Sequence, residues 1–134
     1  MIDEIRKLHD YIIVEYVEQH KYSKNIFEKS TNTIRLVTGI DYNQSTASIL
    51  HAVHRIGVES TVPVDNCSRG ALAAKIDLDT GVLYDAKTYN STNIYTNHPD
   101  TGVRIQGVQV PMWEMIKKET IKVAEKFPYI SLMA

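Results

Sequence analysis

The sequence predicts an α+β fold in which a mostly antiparallel sheet is backed by a C-terminal helix. Three observations carry this. Runs rich in β-branched and aromatic residues, at 11–17, 33–40, 48–56, 70–78 and 82–89, are separated by polar connections. Asp77-Leu-Asp-Thr-Gly81 has the composition of a hairpin turn between two of them. Pro111 then opens a segment in which Trp113, Ile116, Thr120, Val123 and Phe127 recur at spacings of three and four, as on a helix with one apolar stripe, and Pro128 stops it.

In chain order, Ile2, Ile5 and Leu8 lie three apart and predict a short turn of amphipathic helix. The nearly continuous apolar run from Tyr11 to Val17 predicts a strand buried on both faces. Residues 19–31 are polar and irregular, with Ile26 and Phe27 as apolar anchors. Strands over Thr33 to Ile40 and Ser48 to Ile56 flank a turn at Asp41-Tyr-Asn-Gln-Ser45. A polar excursion from Gly57 to Arg69 precedes the two strands of the Asp77–Gly81 hairpin. Residues 90–107 predict a loop with a short extended piece, a length that compact domains often reserve for function. Tyr129-Ile-Ser-Leu-Met133 opens a further strand.

The 134 residues suit one domain, 1–134, large enough to bury a core without staples. With Lys+Arg at 15 and Asp+Glu at 16, the net charge of -1 lacks the basic excess of a general nucleic-acid binder. The single cysteine, Cys67, forms no internal disulfide and suits a reducing compartment. The Met1-Ile-Asp-Glu-Ile start is not a signal peptide, and no run approaches the roughly 18 apolar residues of a membrane span. The expectation is a soluble, cytoplasmic protein.

Ile13-Val-Glu-Tyr-Val-Glu18 and Asn32-Thr-Ile-Arg-Leu-Val-Thr38 together suggest one wall of a nucleotide site. Adenine needs apolar faces and an edge offering one carbonyl and one N–H. The Tyr16 carbonyl and Glu18 N–H have that two-residue spacing, and Glu15 offers an acceptor to the exocyclic amine. The alternative is an ordinary strand ending at the surface. Arg35 lies among apolar neighbours, and Arg55 repeats the pattern on the next strand. If those strands pair antiparallel, both guanidinium groups face one side of the sheet, to meet phosphate or to close structural salt bridges. Asp65-Asn-Cys-Ser-Arg-Gly70 is an anion-loop candidate through Asn66, Arg69 and Gly70, or a plain turn. His51 and His54, three apart on a strand, point to opposite faces and make a poor metal pair. Trp113 reads as core, and Lys117, Lys118 and Lys122 as a solvated face.

Read in order, the hinge-like segment 11–20, Asn32-Thr-Ile-Arg35, His54-Arg-Ile-Gly57, Asp65 to Gly70, Ile76 to Gly81, His98-Pro-Asp-Thr-Gly102 and Val110-Pro-Met-Trp113 resemble the sugar-transfer associated ATP-grasp family. The resemblance spans nearly the whole chain. It implies part of an ATP-grasp fold, ATP with magnesium, and carboxylate ligation in cell-surface polysaccharide biosynthesis. It further implies an adenine hinge at Glu15, Tyr16, Val17 and Glu18, Arg35 against phosphate or acyl-phosphate, and Asn66, Arg69 and Gly70 in a loop over the reacting groups.

The pattern departs from that family where its phosphate-binding lysines and metal carboxylates are expected, so no metal ligand is assigned and turnover by this chain alone is not expected. The competing expectation is a non-catalytic binding or self-assembly module, with exposed sheet edges pairing to a partner or a second copy.

Overall fold

The computed structural model describes residues 15–41, 46–89, 91–130 and 132–134. The expected helical turn at Ile2–Leu8, the start of the 11–17 strand and most of the turn after Asp41 lie outside them. Helix α1 spans Lys21–Ile26, and helix α2 spans Trp113–Glu125. Strands β1 (Ile34–Asp41), β2 (Thr46–Ile56), β3 (Leu72–Ile76), β4 (Leu83–Thr88), β5 (Ile94–Tyr95) and β6 (Leu132–Met133) form one antiparallel sheet. Its order is β5-β4-β3-β2-β1-β6. The expected α+β architecture, a sheet backed by the C-terminal helix, is the one observed.

Alternation along the strands divides the sheet into two faces. Ala52, His54 and Ile56 of β2, Leu72, Ala74 and Ile76 of β3, and Leu83 and Ala86 of β4 are buried on one side. Against them pack Ile26 and Phe27, Ile105 and Val110 of the loop before α2, and Trp113. The two apolar anchors in the irregular segment thus do enter the core. The other face carries no helix among the described residues and stays open.

Asp77 builds the hairpin: its Oδ1 accepts from the Thr80 N–H at 2.8 Å and from the Thr80 hydroxyl at 2.8 Å. Those bonds hold the carboxyl down to about 2. Gly81, at φ 74°, then turns the chain against the Trp113 ring. The indole N–H of Trp113 donates to the Leu78 carbonyl at 3.0 Å, so the tryptophan is core, as expected.

Three expectations need correction. Residues 15–20 form no strand, and Tyr16 and Val17 are 83% and 64% exposed rather than buried on both faces. Helix α2 begins at Trp113, after a Met112 in the left-handed region, and not at Pro111; it ends before Phe127. Its buried residue in the last turn is Ala124, while Val123, expected on the apolar stripe, faces solvent. Lys117 is half-buried, donating to the Leu78 carbonyl at 3.1 Å, and so leaves the solvated face.

Candidate functional site

Arg35 pairs across the sheet with Val53, Val53 with Lys75, and Arg55 with Ala73. The Arg55 N–H also donates to the Thr33 carbonyl. By period two, Arg35 and Arg55 therefore share the open face, as antiparallel pairing of their strands requires. They differ in what they meet there.

Arg55 is fixed. Its guanidinium lies 3.3 Å from the Asp65 carboxylate and donates to the Thr33 hydroxyl at 2.6 and 2.9 Å. Asp65, itself buried, also accepts from the Thr33 N–H at 2.8 Å. Arg55 thus takes the structural of its two expected roles. Asp65 is the residue that the sequence did not single out; its position 32 residues from Thr33 gave no signal of the contact.

Arg35 is exposed, which corrects the expectation of a charge held among apolar neighbours: Ile34 and Leu36 point to the core side and Arg35 away from it. It makes no ion pair among the described residues. The Asp65–Arg55 contact places the 65–70 loop beside Arg55, on the face that Arg35 shares. Burial pushes the Cys67 thiol up, so Cys67 is not an activated nucleophile.

In the loop, the Asn66 side chain caps a turn by accepting from the Ser68 N–H at 3.2 Å, and Gly70 closes it at φ 107°. The N–H groups of residues 68–71 are all bonded within the loop. The loop therefore presents the exposed Arg69 side chain, and not a backbone cradle, to an anion. Gly70 itself lines a separate hollow with Glu59 and Asp100.

The hinge-like residues lie elsewhere. Val17 and Glu18 line a largely apolar cavity of about 510 Å³ with Tyr22, Leu36, Met115 and Ile116. Glu15 and Tyr16 are exposed beyond it. The segment is moored by Gln19, whose amide donates to the Ser30 carbonyl at 2.8 Å and whose oxygen accepts from Asn32. The cavity reaches the margin of β1, since β6 pairs only with Thr38 and Gly39 and leaves Ile34 to Val37 without an outer strand among the described residues. His51 is exposed and His54 buried, on opposite faces as expected.

A profile of sugar-transfer associated ATP-grasp proteins matches residues 4–134. The chain belongs to that family. No curated protein and no solved structure gives a significant match. ATP-grasp proteins generally use ATP and magnesium. Among the described residues of this ATP-grasp chain, no group of three or more His, Cys, Asp and Glu side chains is placed to hold a metal ion. No helix among them is long and apolar enough to cross a membrane.

Proposed function

We propose that this chain forms one wall of the ATP site of a cytoplasmic carboxylate ligase in cell-surface polysaccharide biosynthesis. Adenine enters the apolar cavity, its edge meeting the Tyr16 carbonyl and Glu18 N–H, and the phosphates round the free margin of β1 towards Arg35. Arg69 reaches the same anion from the 65–70 loop. The observation that carries this reading is the contrast on the open face, where Arg55 is neutralised by Asp65 while Arg35 has no ion pair among the described residues. Titration calorimetry with ATP tests it. Binding is expected to be weak, about millimolar, because so few phosphate contacts are in place, and Arg35→Ala should weaken it about tenfold or more. Equal affinity in the variant would overturn the role of Arg35.

A second reading is self-assembly through the sheet edge. Tyr129 and Leu132 are 74% and 61% exposed beside the two-residue strand β6, and an exposed edge can pair with another copy. A monomer at every concentration in light scattering excludes it.

A further inference from the structure

We propose that the far end of the open face, where β4 bulges, binds a small anion that also carries hydroxyl groups: a sugar bearing a carboxylate or a phosphate. The register supplies the first observation. Ala74 pairs with Ala86 and Ile76 with Leu83, so the two residues Tyr84 and Asp85 stand opposite the single residue Lys75. Such a bulge interrupts the ladder and re-aims a side chain, a device found often beside binding sites. Here it contributes to a hollow of about 490 Å³ lined by Ala73, Lys75, Tyr84, Asp85, Lys87 and Ile94.

The groups in the hollow are prepared and unspent. Tyr84 is held by its hydroxyl donating to Asp77 at 3.0 Å, and the Lys75 ammonium lies 5.6 Å from the centre of its ring. Neither Lys75 nor Lys87 makes an ion pair among the described residues. Asp85 uses one oxygen to accept from the Gln106 amide at 3.2 Å. Its Oδ1 is buried and receives no hydrogen bond among the described residues. A buried carboxylate oxygen without a donor is costly, and the broad terminal torsion of an aspartate lets it turn towards the hollow.

These features select the ligand. A bare anion would be attracted by the lysines and repelled by Asp85. A simple cation would meet the reverse. A neutral sugar would satisfy Asp85 and leave both ammonium groups alone. A hydroxyl donating to Asp85 beside an acid group on Lys75 and Lys87 satisfies all three. The hollow is separated from Arg35 by β2, so this inference does not rest on the ATP reading.

The test is titration of the ¹⁵N-labelled chain, followed by NMR, with D-glucuronate, D-glucose 6-phosphate, D-glucose and inorganic phosphate in turn. Saturable shifts centred on Lys75 and on residues 84–87 are expected with at least one of the two sugar acids, and which one binds distinguishes carboxylate from phosphate. Glucose and inorganic phosphate should each bind about tenfold more weakly or worse. Lys87→Ala, at an exposed position that leaves the fold intact, and Asp85→Asn should each weaken the sugar acid by about tenfold, whereas Arg35→Ala should not. Absence of saturable shifts with both sugar acids, phosphate binding as tightly as either, or undiminished binding by Lys87→Ala overturns the proposal.

Discussion

The Nε2 atom of His54 lies 2.8 Å from the Tyr22 hydroxyl and ties α1 to β2 beneath the sheet. Its other ring nitrogen is 3.1 Å from the Arg55 carbonyl, which only accepts, so Nδ1 carries the proton and Nε2 receives the tyrosine O–H. Burial drives His54 from 6.5 down to about 4 and raises Tyr22 to about 12. The unfolded chain therefore binds a proton at His54 that the folded chain refuses between those pH values. Stability from this group is full above pH 6.5 and is lost as pH falls towards 4, by about 3 kcal/mol in all. Urea denaturation across that window should show the slope, and His54→Gln should remove this share of it.

Asn32 makes a second prediction. Its amide nitrogen donates to the Phe27 carbonyl at 2.8 Å, and its oxygen accepts from the Gly57 N–H at 3.0 Å and the Ser30 hydroxyl at 2.8 Å. One side chain thus joins the end of α1 to the end of β2. Asn32→Ala would leave the buried Gly57 N–H without a partner and the Phe27 carbonyl with only the Gln19 amide at 3.2 Å, at a cost of about 1 to 3 kcal/mol. Chemical denaturation measures this, and a loss below about 1 kcal/mol would show that water replaces the amide.

Strands β1 and β2 were legible from their β-branched residues, and β3 and β4 from the turn between them, since Asp77–Gly81 folds as its composition demands. The strand expected over 11–17 does not extend through its described end, because strand propensity needs a neighbour to pair with, and Tyr16 and Val17 have none among the described residues. The exposure of Arg35 was in fact present in Thr33-Ile-Arg-Leu-Val: if Ile34 and Leu36 face the core, period two turns Arg35 outward. The Asp65 contact and the bulge at Tyr84–Asp85 depend on the register between distant segments, which local pattern does not encode.

Gly81 supplies a contrast with Gly102, since both have positive φ, 74° and 70°. A Cβ at Gly102 would meet nothing within 4 Å, so Gly102→Ala should cost only the conformational term, about 1 to 2 kcal/mol. At Gly81 the added carbon would fall 2.5 Å from Cγ of Trp113, which the core holds in place. Gly81→Ala should therefore cost about 2 to 5 kcal/mol and red-shift the emission of Trp113 as its ring is displaced. Equal melting temperatures for the two variants would contradict the packing of the hairpin on α2.

Arg35 and Arg55 make the final comparison, because one sheet face carries both and only one is partnered. Removing Arg55 leaves Asp65, buried and negative, with only Thr33 to hold it, so Arg55→Ala should destabilise the fold by about 1 to 3 kcal/mol. Arg35 is exposed without an ion pair among the described residues, and Arg35→Ala should stay within about 0.5 kcal/mol of the parent. Thermal denaturation repeated with ATP then separates structure from binding. Added nucleotide should raise the melting temperature of the parent, and by a similar increment that of Arg55→Ala if it still folds, but should raise that of Arg35→Ala much less. If Arg35→Ala instead melts several degrees lower without ligand, Arg35 holds the fold, and the phosphate contact proposed for it must be reassigned to Arg69.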